Sequence, residues 1–210
     1  MERVALRVEV PIACFRKSRS REFIETYLVP PPATIYGMLL SLIGETDRYR
    51  HCGARLAICL LSNPQASIVL RKFHRHKSKD LINPANIRPD FQELLTHLKF
   101  IIFLDQGEET EEPYLPERIL AAFQNPSSVT RFGGLSLGES KFLINSVTLV
   151  TEELKDETGD WLVEVANGPF SLPYWVDHVG SHNTHWRRYA LQQSNLRQPP
   201  SSSWTAIFSQ

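Results

Sequence analysis

The 210 residues fit one domain with insertions or at most two small ones, and with 42% apolar and 22% charged residues the chain has the composition of an ordinary globular protein. The 23 basic and 23 acidic residues give zero net charge, but they are segregated along the chain, which is consistent with a polyanion groove on one face. No segment reaches the roughly 18 apolar residues that a membrane span needs, and the N-terminal MERVALRVEV lacks the apolar centre of a signal peptide, so we expect a cytoplasmic protein without a membrane partner.

The N-terminal segment combines a strand pattern with a basic loop. Residues 3–10 (RVALRVEV) alternate apolar and charged side chains, which predicts a half-buried strand, and Pro11 fits a bulge or the end of that strand. Residues 16–21 (RKSRSR) then place four cations in six positions, directly before a predicted helix. Such a loop is usually only solvated, but its position next to a helix N-terminus also favours phosphate binding.

A proline-led helix follows the basic loop. The three prolines at 30–32 hold the backbone extended, and the last of them can open a helix. Apolar residues at helical spacing continue to residue 43, and Gly44 is placed to end the helix in the left-handed conformation. Gly37 is unusual, because an interior glycine costs a helix about 1 kcal/mol relative to alanine. Close approach of another backbone or of a ligand would explain it; the alternative is a short core helix after a rigid turn.

A second basic segment lies between two predicted strands. Residues 54–61 (ARLAICLL) are a continuous apolar run that predicts a central strand, and residues 67–70 are predicted to pair back in a hairpin. Residues 48–79 contain eight basic residues and three histidines without one acid. The run RKFHRHKSK at 71–79 favours RNA binding by phosphate neutralisation, with Phe73 or a histidine stacking on a base. An exposed basic loop without a partner would have the same composition.

The rest of the chain continues the pattern of strands and helices. Residues 91–97 look briefly helical, 99–105 (KFIIFLD) predict a strand, 116–124 (PERILAAFQ) a helix that starts with proline, and 141–150 (KFLINSVTLV) a strand. The resulting order, β-α-β-β-α-β, predicts an α+β fold of the ferredoxin-like (RRM-like) type. In related RNA-recognition folds the sheet binds the nucleic acid, so one sheet face or edge is expected to be free.

Signatures of catalysis are absent or weak. The loop FGGLSLG at 132–138 has neither the lysine of a P-loop nor the dinucleotide fingerprint. His178, His182 and His185 have helical spacing, but the glycine and asparagine among them disfavour a helix, so no metal or other cofactor is predicted. The three cysteines lie in apolar or mixed segments, which favours buried reduced thiols over a nucleophilic role for Cys14.

Two motifs resemble the fifth family of CRISPR-associated proteins, a member of the repeat-associated (RAMP) superfamily. The first is a strand ending in Ala-x-Phe-Arg followed by a Pro-Pro-x-Thr/Ser-x-x-Gly helix start, matched here at 13–16 and 31–37. The second is Leu-Gly-Glu-Ser-x-Phe at 137–142, which is similar to the family's glycine-containing signature. The motifs occur in the family's order, and the resemblance covers residues 1–150.

The resemblance implies a non-catalytic subunit of a type I surveillance (Cascade) complex, of a type I-B or myxobacterial-like variant. The family's protein holds the 5′ handle of the CRISPR RNA (crRNA) and caps the backbone filament of the complex. Its partners are therefore the filament subunit and the large subunit, with target DNA reached indirectly. The implied fold is one ferredoxin-like domain over residues 1–198, with a thumb-like β-hairpin insertion at 62–97 and a short C-terminal extension at 151–198. Residues 199–210 are expected to form a flexible tail, although Trp204, Ile207 and Phe208 could dock.

The expected RNA contacts come from the basic loop, the helix start, the thumb and the glycine loop. They are Arg16, Lys17, Arg19, Arg21, Thr34, Tyr36, Gly37, Arg71, Lys72, Phe73, His74, Arg75, His76, Lys77, Lys79, Arg131, Gly133 and Gly134. Arg187 and Arg188 lie outside the matched motifs and are secondary candidates.

Two other functions stay open at this point. Some members of the family are metal-independent endoribonucleases that cut precursor crRNA with tyrosine, lysine or histidine as proton donors and acceptors. Tyr49 with His51, or His74 and His76 with Lys77, are the candidates here, but no complete set maps onto this sequence position by position. The third possibility is an unrelated binding module with a basic face that is selective for no RNA sequence.

Overall fold

The computed structural model describes residues 3–18, 20, 22–74, 77–151, 154, 157–177 and 182–209. Its strands are β1 (Val4–Ala13), β2 (Phe23–Ile24), β3 (Arg55–Leu60), β4 (Gln65–His74), β5 (Ile87–Asp105), β6 (Ser146–Leu149), β7 (Thr158–Glu164), β8 (Phe170–Trp175), β9 (His185–Asn195) and β10 (Trp204–Ala206). The helices are α1 (Pro32–Leu42) and α2 (Leu115–Gln124), with 3₁₀ turns at Pro84–Asn86, Pro126–Ser128 and Ser201–Ser203. Among the described residues, no helix has the length and apolar character to cross a membrane.

All ten strands join one large sheet. Its main path runs β6-β1-β5-β3-β7-β9-β8, while β10 pairs with β3, and β2 and β4 pair with β5. The neighbours are antiparallel except for the two-residue parallel pairing of β2 with β5. The long strand β5 is central because its first half pairs with β4 and its second half lies between β1 and β3.

The helix α1 has the ends that its sequence predicts. Pro31 is its extended N-cap with φ of −65°, and Pro32 is the first helical residue. At the other end Gly44 has a φ of +69°, and a Cβ at this position would lie 2.2 Å from the carbonyl oxygen of Thr130. Glycine is therefore required there both by backbone conformation and by space.

The sheet is buried on both faces at its centre. Alternate residues of a strand point to opposite faces. In β3, Leu56 and Ile58 join the core that contains the helices, whereas Ala57 and Cys59 join a second cluster with Ile101, Phe103 and Trp161. Leu154, Leu196 and Trp204 also belong to or border this second cluster. The expectation of a free sheet face for nucleic acid is therefore wrong for the centre of the sheet, because the chain covers that face itself.

The C-terminal third is part of the sheet. Strands β7, β9 and β8 extend it beyond β3, within the residues predicted as a C-terminal extension. The expected flexible tail at 199–210 is wrong, because β10 pairs with β3 and Ile207 is fully buried. The backbone of Ile207 also exchanges hydrogen bonds with Gly53 and Ala54, so the tail is held by the same strand edge that it covers.

One predicted element has the wrong secondary structure. Residues 91–97 were expected to be helical but belong to β5, and they pair with β4 from Phe91 opposite Leu70 to Thr96 opposite Gln65. The strand is irregular at His97, which has a φ of +61°. On the neighbouring strand, Pro11 has no N–H to donate, and the paired register passes from Val10 to Ile12.

Candidate nucleic-acid interface

The insertion at 62–97 contains a two-stranded hairpin, β4 with the first half of β5, whose faces differ in chemistry. Directly paired residues share a face, and the register pairs Leu70 with Phe91, and Arg71 with Asp90. We call one side the apolar face; its apolar members are Ile68, Leu70, Ile87, Pro89 and Phe91, and by the same register Lys72, His74 and Glu93 also lie on it. We call the other side the charged face; its members are Val69, Arg71, Phe73, Arg88, Asp90 and Gln92. The assignment of residues to the two faces follows from the two-residue period of a strand.

The charged face and the basic loop enclose a cleft of about 930 Å³. The residues that line it are Arg16, Glu22, Ile24, Arg71, Phe73, His74, Arg88 and Asp90. Two of its arginines are already paired: Arg71 contacts Asp90 at 2.9 Å, and Arg88 contacts Glu22. Arg16 donates to the carbonyl of Ser20 at 2.8 Å and forms no ion pair with a described carboxylate, so its charge is available to a ligand.

An aromatic side chain lies within the same cleft. Phe73 is 43% exposed, and the Arg71 guanidinium lies 4.9 Å from the centre of its ring. The arrangement leaves ring surface available for stacking, with cationic charge beside it. An available cation, a stacking ring and a groove of this size are what a segment of single-stranded nucleic acid requires.

The tip of the hairpin is organised by one buried amide. The Asn86 side chain accepts hydrogen bonds from the backbone N–H groups of Lys77 and Ser78, both at 2.9 Å, and donates to the carbonyls of Ser78 and Asp80. These bonds fix the loop that presents the exposed side chains of Lys77 and Lys79. Sequence reasoning missed Asn86, because only the fold shows which backbone groups it reaches.

A second cleft, of about 390 Å³, lies along α1. Thr34, Gly37 and Ser41 line one side of it, and Ser136 and Gly138 line another. Gly138 has a φ of +83°, and a Cβ there would lie 2.4 Å from the carbonyl oxygen of Cys14. The glycine of the Leu-Gly-Glu-Ser-x-Phe motif is therefore needed for close packing of this segment on the end of β1.

The same motif connects the two clefts. Glu139 accepts a hydrogen bond from Gln92 of the charged face at 2.8 Å, and Lys141 donates to the Gln92 amide oxygen at 3.0 Å. Phe142 packs at the edge of a small cluster formed by Cys14, Ile24 and Leu94. Residues 137–142 thus link the segment that lines the α1 cleft to the charged face of the hairpin.

The α1 cleft also contains a cation that sequence reasoning missed. The Arg48 guanidinium lies 4.2 Å from the centre of the Trp175 ring, which is itself close to the rings of Tyr36 and Tyr49. Tyr36 is buried and donates its hydroxyl to the carbonyl of Arg48 at 2.8 Å. Tyr36, which was predicted to contact RNA, lines this cleft and also supports Arg48.

Several predicted residues lie away from these clefts or are paired. Lys17 contacts Glu25 at 3.1 Å, and Arg187 contacts Glu164 at 2.9 Å. Arg131 lines a separate pocket near the C-terminal end of α1, so it is not brought to the α1 cleft with Thr34. Gly133 and Gly134 follow it in the same exposed loop, and Arg188 is exposed on β9. Four predicted residues, Arg19, Arg21, Arg75 and His76, lie outside the described residues, as does His178 of the histidine cluster.

The structure separates one pair of catalytic candidates. Tyr49 is exposed, but the side chain of His51 is fully buried. The His51 ring contacts Glu109 at 2.7 Å through Nδ1, and Nε2 lies 2.9 Å from Nη1 of Arg118. This ring is occupied by internal contacts and cannot reach a phosphodiester in this conformation.

The cysteine that was considered as a nucleophile is also enclosed. Cys14 is fully buried, and burial raises the pKa of its thiol, so it is a packing residue rather than a nucleophile. Within the part of the chain that the structure describes, no group of three His, Cys, Asp or Glu side chains is placed to hold a metal ion.

Comparison with known proteins identifies the family. A model of the family described as CRISPR-associated protein (Cas_Cas5) matches residues 4–208. The chain is 42% identical over 193 residues to a Myxococcus xanthus (strain DK1622) protein named CRISPR-associated protein Cas5, and the match covers 90% of each chain. The chain belongs to the Cas5 family. The resemblance inferred from the two sequence motifs is thus confirmed, and it extends over nearly the whole chain.

Solved structures share the fold of this Cas5-family chain. A chain of a CRISPR RNA-guided surveillance complex superposes with a TM-score of 0.65 at 13% identity, covering 96% of both chains. A crystal structure of a Cas protein superposes with a TM-score of 0.54 at 14% identity, covering 96% of this chain and 100% of that one. At these identities the superpositions establish the architecture, a large antiparallel sheet with two helices.

Proposed function

We propose that this Cas5-family chain is the subunit of a type I CRISPR surveillance complex that holds the 5′ handle of the crRNA and caps the backbone filament. The observation that supports this most is the convergence of Arg16 and the charged hairpin face in one cleft. That cleft combines an available cation with an exposed aromatic ring, the chemistry that binds single-stranded RNA without reading every base. Such a subunit works in the cytoplasm, where the guide RNA is made.

The proposed core is a ferredoxin-like unit. The strand order β6-β1-β5-β3, with antiparallel neighbours throughout, supports it. In chain order these are the fourth, first, third and second strands of a β-α-β-β-α-β unit, if the short β2 and the hairpin strand β4 are set aside as additions. The helices α1 and α2 then occupy the two crossover positions of that unit.

The apolar face of the hairpin is the proposed contact with the filament subunit. Ile68 and Leu70 are 62% and 55% exposed, and Phe91 is also exposed. Exposed apolar side chains on one face of a hairpin, here with Lys72 and Glu93 among them, are typical of a protein–protein interface. The hairpin would then bind RNA with its charged face and protein with its apolar face. The large subunit is a further proposed partner, and target DNA is reached only through the assembled complex.

We propose that the chain does not cut RNA itself. The burial of His51 supports this, because a buried ring cannot exchange a proton with an RNA bound at the exposed Tyr49. The second candidate set contains His76, which is outside the described residues, so His74 and Lys77 remain its described members. Both belong to the exposed hairpin, where a binding surface also requires cations.

The test is incubation of the purified protein with its host's labelled repeat RNA in EDTA, read by gel shift and by denaturing gel. Arg16→Ala is the test variant, and Arg197→Ala is the matched control because Arg197 is exposed and outside both clefts. We expect a shifted, intact RNA that Arg16→Ala weakens and Arg197→Ala does not. A discrete cleavage product would establish the endoribonuclease instead. Absence of binding, even with the co-purified filament subunit, would refute the RNA-binding role.

A further inference from the structure

The α1 cleft has the size and chemistry of a site for one nucleotide. Its volume of about 390 Å³ lies in the range of roughly 300–1,000 Å³ typical of small-ligand sites. Its walls provide the hydroxyl groups of Thr34, Ser41 and Ser136. Among the described residues that line it, Arg48 is the one charged side chain. The cleft therefore favours a neutral polar ring joined to an anionic group.

Arg48 is held for stacking rather than for an internal ion pair. No carboxylate among the described residues pairs with it, and its buried Nε has no hydrogen-bond partner there. Its guanidinium rests on Trp175 at 4.2 Å from the ring centre, and its carbonyl is fixed by the Tyr36 hydroxyl. The guanidinium also lies 6.0 Å from the centre of the exposed Tyr49 ring, so a nucleobase that stacks on its remaining face would lie beside an aromatic side chain.

Gly37 also lines this site. A Cβ built on Gly37 would meet no atom within 4 Å, and the residue is exposed in the middle of α1. Neither left-handed backbone nor internal crowding requires glycine at this position. Glycine destabilises a helix interior relative to alanine, and no contact within the chain requires it at this position. We therefore attribute the absence of a side chain to a molecule that binds there. A ligand that passes close to α1 provides such a requirement.

We propose that one nucleotide of the bound RNA leaves the base stack and enters the α1 cleft, where its base stacks on the outer face of the Arg48 guanidinium. Its sugar and phosphate pass over Gly37, within reach of the first turn of α1. This inference rests on the proposed function and adds a base-binding position to it. Arg48, supported by Trp175, is then a binding residue that fixes the register of the RNA on the protein.

The experiment is an abasic scan of the handle RNA. A series of RNAs, each lacking one base, is titrated against the wild-type protein, Arg48→Lys, Arg48→Gln and Gly37→Leu. The matched control is Arg197→Gln. We expect one position at which loss of the base weakens wild-type binding by about tenfold, the size expected for one base stack. That position should lose its sensitivity in all three cleft variants and keep it in the control.

The variants distinguish a base stacked on Arg48 from a loss of charge or of folding. Arg48→Lys keeps the charge but loses the plane, so it should abolish the base effect while leaving the salt dependence of binding unchanged. Gly37→Leu adds bulk to the cleft and leaves Arg48 in place, so it tests the site even if Arg48→Gln folds poorly. Sensitivity at different positions in the Arg48 and Gly37 variants would overturn the inference of one site. So would tight wild-type binding without a sensitive position. Absence of wild-type binding would instead contradict the proposed function.

Discussion

Side chains at position 37 should have opposite effects on stability and on RNA binding. A small side chain should stabilise the fold, whereas a large one should weaken binding of the handle RNA. The residue is sixth of the 11 residues of α1, and a Cβ there enters open space. Alanine should therefore gain the full helix-propensity difference of about 1 kcal/mol in unfolding free energy. For a protein of this size that corresponds to a rise in melting temperature of about 2–4 °C. The bulkier Gly37→Leu should keep the fold but weaken binding of the handle RNA, because its side chain occupies the α1 cleft.

Thermal unfolding followed by circular dichroism, together with RNA titration of the same preparations, measures both effects. Ala121→Gly in α2 is the matched control, since Ala121 is exposed in a helix outside both clefts. It should lower the unfolding free energy by up to about 1 kcal/mol and leave RNA affinity unchanged. A lower melting temperature for Gly37→Ala would refute the argument from open space. Wild-type RNA affinity in Gly37→Leu would refute the placement of RNA along α1.

Three further substitutions test other parts of the account. Arg16→Ala should weaken RNA binding and reduce the slope of log affinity against log salt by about one counterion, measured by titration from low to physiological salt; an unchanged slope would show that Arg16 meets no phosphate. Burial acts to raise the pKa of Glu45, but hydrogen bonds from Arg118 and nearby backbone N–H groups outweigh it and lower that pKa to about 2. Because the folded pKa is below the ordinary 4.5, the charged carboxylate stabilises the fold above pH 4.5, and this contribution is lost as the pH falls towards 2. Denaturant unfolding at several pH values should show the wild-type advantage over Glu45→Gln shrinking through this window, and an advantage independent of pH would contradict it. Ile207→Ala should lower the unfolding free energy by about 2–5 kcal/mol because Ile207 is fully buried, whereas a flexible tail would give a change near zero in the same denaturant assay.

The sequence predicted elements whose signals are local. Pro32 and Gly44 mark the two ends of α1 because their backbone constraints do not depend on the rest of the fold. The apolar run around β3 indicated a central strand for the same reason, since a strand covered on both faces is apolar throughout. The second family motif likewise has a local requirement, because Gly138 has a φ of +83° and packs against the carbonyl of Cys14.

The prediction of a helix at 91–97 was wrong because two structural features together give the buried residues of this strand a helix-like spacing. Leu94 and Leu95 are both buried, but in different clusters on opposite sides of β5. The irregular backbone at His97 then shifts the alternation, so that Leu98 is buried again. The resulting apolar spacing matches a helix, and only pairing with β4, fixed by tertiary structure, decides against it.

Long-range contacts account for the rest of what the sequence did not predict. The tail docks through pairing of Trp204 with Ala57, far earlier in the chain, although its serine and proline content is typical of a flexible segment. The stacking of Arg48 on Trp175 is hidden for the same reason. Ion pairs also decide which of the predicted cations remain available to a ligand. Asp90 neutralises Arg71, whereas Arg16 pairs with no carboxylate among the described residues of the hairpin cleft.

The most direct test of the account is ultraviolet cross-linking and mass spectrometry of the complex purified from the host through a tag on this chain. The account predicts that the co-purified RNA carries an intact 5′ handle and that handle nucleotides cross-link to peptides containing Arg16, Phe73 and the segment 34–48. Recovery of RNA cross-linked only to other subunits, or to peptides of β7 to β9 alone, would contradict the assignment of this chain as the subunit that holds the handle.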